Sequence, residues 1–219
     1  MRSAPARTAA ALAVAALLTS CSSGGGGDAP ETPEGVPAAQ ACGGFAKDAA
    51  ATAALDAVLG GDRFEDNLSK PEKALTALRA DAAAPWADSY RPQPVTYCGL
   101  LPAEGGVKDL KIQVNAVKEA PAVDPRLADR ATYFTAGLRA YSSSSLGKLY
   151  FTCRLEAPAH EIVVETTVWG PADVPETDRA QRTRLITLAH AAARDVAAKL
   201  GCEGDELGAR VPSPVATSS

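Results

Sequence analysis

Leu149-Tyr150-Phe151-Thr152-Cys153-Arg154-Leu155 and, a short break later, Ile162-Val163-Val164-Glu165-Thr166-Thr167-Val168 decide the fold. Both runs largely alternate apolar and polar residues and are rich in β-branched or aromatic side chains, the pattern of strands. Alternation means one buried face and one wet face, as in an antiparallel sheet. Ala157-Pro158 between them is a turn signal, so the two runs are expected to be neighbouring strands.

The same period extends outward, giving about five strands, over residues 95–100, 110–118, 132–141, 148–155 and 161–169. Ser142 to Ser145, with Gly147, reads as a hairpin loop. Downstream lies a long helical pattern, residues 178–200, with Thr177 as N-cap and Gly201 as stop. Leu185, Leu188, Ala189, Ala192, Val196 and Leu200 share one of its faces. At 1.5 Å per residue it is roughly 35 Å long, enough to cross the sheet. Upstream, residues 45–59 carry Leu55, Val58 and Leu59 at helical spacing before Gly60-Gly61. Ser69-Lys70-Pro71-Glu72 then opens a second helix over residues 70–82 in the manner of a capping box. Pro85, Pro92 and Pro94 break regular structure before the first strand. The expected fold is α+β: an antiparallel sheet of about five strands, with the N-terminal helices and the long C-terminal helix packed on one face.

The ends differ in composition. Residues 1–20 have Arg2 and Arg7, an apolar run and small residues before Cys21, the parts of an export signal. Leu18-Thr19-Ser20-Cys21 resembles the lipobox of bacterial lipoproteins, which implies cleavage before Cys21 and a diacylglycerol on its sulfur. Residues 21–41 then read as a lipidated cysteine and flexible tether, 42–202 as a single domain, and 203–219, poor in large apolar residues, as a disordered tail. Five cysteines are an odd number, but lipidation of Cys21 leaves an even set, Cys42, Cys98, Cys153 and Cys202. In an oxidising compartment these form two disulfides with three possible connectivities. Strand and helix directions select one of them. Cys153 lies near the end of its strand, the next strand leaves that turn, and the long helix returns, bringing Cys202 to Cys153 and leaving Cys42 for Cys98. The net charge of −4 falls by two when Arg2 and Arg7 leave with the signal, so no nucleic-acid partner is expected.

Chemistry is sparse. His160 and His190 have no second ligand at metal spacing, and no Gly-x-Ser-x-Gly turn exposes a nucleophile. Glycines 24–27 and 43–44 lack the context of a phosphate loop. Asp62, Glu65, Asp66 and Asn67 do not fit a calcium loop and read as a solvated turn. No catalytic, cofactor-binding or metal residue is expected, and no cofactor.

The order of elements, with Cys42-Gly43-Gly44, Tyr97-Cys98, Leu149-Tyr150-Phe151-Thr152-Cys153 and Lys199-Leu200-Gly201-Cys202, is similar to actinobacterial secreted lipoproteins of unknown function. That resemblance implies no catalytic residues. The expectation is a module at the extracytoplasmic face of the cell membrane, lipid-anchored through Cys21, that binds an envelope protein or serves as a structural part. A small exported hydrolase or a lipid carrier is the alternative. Strand parity supplies a candidate partner face. With Phe151, Cys153, Ile162, Val164 and Val168 inward, Tyr150, Arg154 and Trp169 point outward. Tyr133, Arg139 and Tyr141 join them from the third strand, and Tyr97 from the first, as residue types that dominate interfaces.

Overall fold

The computed structural model describes residues 35–84, 92–128 and 130–215. Cys21 and the export signal lie outside the described residues. The elements are β1 (Val36–Pro37), a 3-10 segment (Ala38–Gly43), α1 (Ala49–Leu59), β2 (Arg63–Asp66), α2 (Pro71–Ala83), β3 (Val95–Pro102) and β4 (Leu110–Val117). There follow α3 (Pro125–Ala128), β5 (Thr132–Phe134), β6 (Arg139–Ser142), β7 (Leu146–Cys153), β8 (Ile162–Trp169) and α4 (Arg179–Leu200). The fold is α+β, but the sheet has eight strands rather than about five, in the order β1-β2-β3-β4-β8-β7-β6-β5. Every neighbouring pair is antiparallel.

Three differences account for the extra strands. Arg63-Phe64-Glu65-Asp66 is a strand and not a solvated turn, because Phe64 is fully buried and pairs opposite Pro102. Val36–Pro37 adds an edge strand to it. Residues 132–141 form two strands, since Gly137 takes φ 52° and Leu138 N–H donates to the Tyr150 carbonyl at 2.8 Å. A side chain at 137 would put its Cβ 2.3 Å from that same carbonyl oxygen, which only glycine avoids.

The helices cover one face of the sheet. On α4, Leu185, Leu188, Ala189, Ala192, Ala193 and Val196 are fully buried, facing Leu149, Phe151, Val164 and Val168 of β7 and β8. Small residues let helix and sheet approach closely, most of all at Gly147, which lies under the Leu185 backbone. The start of α4 is capped by Asp178, not Thr177: its Oδ1 accepts from Gln181 N–H at 2.9 Å. Gly201 ends it at φ 77°, with Gly201 and Cys202 N–H groups closing on the Ala197 carbonyl. Further upstream, α1 begins only after Phe45 and Ala46, where Asp48 accepts from Ala51 N–H. α2 has no side-chain cap. Ser69 turns instead to Gly99, whose N–H donates to its hydroxyl at 2.9 Å and whose carbonyl accepts from it at 3.2 Å.

The disulfides join Cys42 to Cys98 and Cys153 to Cys202, with Cα–Cα distances of 5.4 and 4.8 Å. The domain is larger than residues 42–202. Ala38 and Ala41 of the expected tether are buried, and so is Leu207 of the expected tail. One large apolar residue suffices to pin a segment that composition alone marks as free, since burying a Leu side chain is worth roughly 2 kcal/mol.

Candidate functional site

The face away from the helices carries most of the expected partner residues, but not as one exposed surface. Tyr150 stands opposite Glu165 and Arg139 in the sheet register, on the side away from α4. It is nevertheless 1% exposed, and Tyr141 only 6%. The chain leaving β4 crosses this end of the face, where Arg139 donates to the Ala120 carbonyl at 2.8 Å and also to that of Pro121. Beneath it Tyr150 hydrogen-bonds to Glu165 and Tyr141, and burial followed by the Glu165 carboxylate pushes its phenol far up, so it stays neutral. Glu165 also accepts from Lys148 at 2.8 Å and from Thr167 at 2.9 Å. A carboxylate held by this many donors is a structural acceptor, not a free base.

What remains at the surface is dispersed. Tyr133 packs 6.4 Å from Tyr141, ring centre to ring centre, and is partly exposed, while Arg139 is half-buried. Trp169 is 44% exposed, and its indole N–H donates to Gln113 at 3.1 Å. Arg154 pairs with Glu161 at 2.9 Å at the far end of β7 and β8, an exposed ion pair of small energetic weight. Trp169 pairs with Leu146 and Cys153 with Ile162 at the two strand ends, so Trp169 and Arg154, one residue beyond Cys153, are roughly 26 Å apart along the strands at 3.3 Å per residue.

Tyr97 is on the other face altogether. The register slips between Thr96 and Cys98, leaving Tyr97 as the extra residue of a bulge and turning it toward the helices. There it is fully buried, and its hydroxyl donates to Asp195 Oδ2. Lys199, one turn further along α4, donates to that carboxylate at 2.7 Å, to the Tyr97 oxygen at 3.0 Å and to the Gly43 carbonyl at 3.3 Å. Burial first, and then the Asp195 carboxylate, raise the Tyr97 phenol, so it donates and does not ionise. The cluster is a clamp tying β3, α4 and the Cys42 turn together. Its only sequence signal is Asp195 and Lys199 at i, i+4 on the sheet side of the helix. Tyr97→Phe should cost about 2 kcal/mol in urea unfolding with both disulfides intact, by removing a donor from a nearly buried carboxylate. A loss below about 0.5 kcal/mol would show that Lys199 alone satisfies Asp195.

The backbone N–H of His160 donates to the Ala82 carbonyl, and the ring of His190, buried on α4, bonds the Leu207 carbonyl. No group of His, Cys, Asp or Glu that could hold a metal occurs among the described residues. Asp66, of the weighed calcium set, instead accepts from Ser69 N–H at 3.2 Å. Ser143, Ser144 and Ser145 line a hollow of about 200 Å³ with Arg130 and Glu176, which pair with each other at 2.8 Å. A wider, shallow hollow of about 780 Å³ runs over Arg154, Glu156, His160 and Glu161. No helix of the described residues is long and apolar enough to cross a membrane. Compared with family models, curated proteins and solved structures, the chain finds no match.

Proposed function

We propose that the chain is a lipoprotein held at the extracytoplasmic face of the cell membrane by a lipid on Cys21, of the kind found among actinobacterial secreted lipoproteins, and that its domain is a binding or structural module of the envelope. The observation that carries this reading is the pairing of the cysteines. Cys42, Cys98, Cys153 and Cys202 satisfy one another. Cys21, at the end of Leu18-Thr19-Ser20-Cys21, is therefore left as the one cysteine without a partner in the chain. Two disulfides, each with one fully buried cysteine, also support an oxidising compartment.

For an envelope partner the reading rests on Trp169, which lies beside Gln113 and opposite Lys111 on the open face. An exposed tryptophan held in one orientation offers contact area at little entropic cost. The lipid-carrier alternative draws less support, because the space it would need is filled by Leu149, Phe151 and Val164 against α4.

In cells of a lipoprotein-processing bacterium, the parent chain should take up labelled palmitate and sediment with membranes. Cys21→Ser should lose the label and either appear in the medium or keep its signal. Labelled, membrane-bound Cys21→Ser would overturn the proposal.

A further inference from the structure

The segment after α4 runs back along the fold as a strap. Glu203 and Arg154 exchange both backbone hydrogen bonds, at 2.9 and 3.3 Å. Leu207 is 4% exposed. Beyond it, Thr135 N–H donates to the Ser213 carbonyl at 3.0 Å and Val215 N–H to that of Tyr133 at 2.8 Å, so residues 213–215 cover the outer edge of β5. Between these attachments the fastening is His190, 4% exposed, whose Nε2 donates to the Leu207 carbonyl at 2.6 Å. That bond fixes the proton of the neutral ring on Nε2.

The charged groups facing this ring come from three elements: Arg194 one turn along α4, Asp48 at the start of α1, and Asp205 of the strap itself. Asp205 also accepts from Leu207 N–H at 3.0 Å. Burial, the largest influence, and Arg194 lower the His190 pKa, while the Leu207 carbonyl and the two carboxylates oppose them without reversing the result.

We propose that residues 203–215 form an acid-released latch, which opens when His190 takes up a proton and thereby bares the β5 edge. With the strap open, His190 is solvated and returns toward its ordinary value of about 6.5. Closed, it holds a proton less tightly. Opening therefore takes up a proton, the closed form is secure above about pH 6.5, and the open form gains as pH falls from there toward the lowered closed-state value.

Hydrogen exchange on the full chain between pH 7.5 and 5, expressed as protection factors, tests the latch. The Glu203, Thr135 and Val215 amides should lose protection at least tenfold across that range, while amides of β7 and β8 keep theirs. His190→Gln, whose amide retains a donor for Leu207, should hold the strap with no such pH dependence. Protection of the parent strap that does not change with pH overturns the proposal. An equal fall in His190→Gln does so too. Should His190→Gln fail to fold, the ring is titrated in the parent by NMR, and charging of His190 without loss of strap protection is equally decisive against the latch.

Discussion

With Cys153 and Cys202 both replaced by Ala, the domain should unfold roughly 10 °C below the parent. The bond closes a loop of sequence separation 49, for which the chain-entropy model gives about 4 kcal/mol. Unfolding entropies near 2.1 cal/mol/K per residue convert that into the stated shift for a domain of this size. Its position argues for the full effect. Cys153 is fully buried at the end of β7, and Cys202 follows the glycine that terminates α4. The bond thus fixes the far end of the longest helix to the middle of the sheet. Calorimetry of the double variant under oxidising conditions is the measurement, with the other disulfide intact. A midpoint within about 2 °C of the parent would mean that the link removes little entropy from the unfolded chain, against the chain-entropy model.

Gly147→Val should cost about 3 kcal/mol. The Cβ it introduces would sit 2.8 Å from the Leu185 carbonyl oxygen, 2.9 Å from the carbonyl carbon and 3.2 Å from Leu185 Cβ. Those first two atoms are helix backbone and cannot swing aside as a side-chain tip can, so β7 and α4 must part along a line of fully buried contacts. Gly61→Ala is the matched control, since nothing lies within 4 Å of its Cβ position, and it should change stability by less than about 0.5 kcal/mol. Urea midpoints of the two variants decide the matter. Equal losses would show that the sheet and helix are not in the close contact described.

The centre of the fold is legible in the sequence and its margins are not, for physical reasons. β7, β8 and α4 announce themselves because each buries a long face, and a long face imposes its period on many residues. Arg63-Phe64-Glu65-Asp66 buries one side chain, and a period cannot be read from one point. The same holds for Leu207, alone among small and polar neighbours. Parity places Tyr133, Arg139, Tyr141 and Tyr150 on one side of the sheet, as the register does, but parity says nothing of what crosses that side. The covering chain around Ala120 and Pro121 leaves no mark in the strands it covers. Parity misplaces Tyr97, because a bulge shifts the alternation by one residue and nothing in Val95-Thr96-Tyr97-Cys98 distinguishes a bulged strand from a regular one.

The strand order has a kinetic consequence. The sheet consists of two meanders, β1 to β4 and β5 to β8, and within each every neighbour in space is the neighbour in sequence. They meet at one seam, where Lys111 lies opposite Trp169 and Val117 opposite Val163. Cys42–Cys98 belongs to the first meander, and Cys153–Cys202 ties the second to α4, so neither covalent link crosses the seam. The search that sets the folding rate is the one for this distant pairing, and oxidation does not shorten it. Both cysteine pairs can be joined while the halves are still apart, which makes the docking of β8 on β4, rather than thiol chemistry, the step at which the chain becomes committed to its final form.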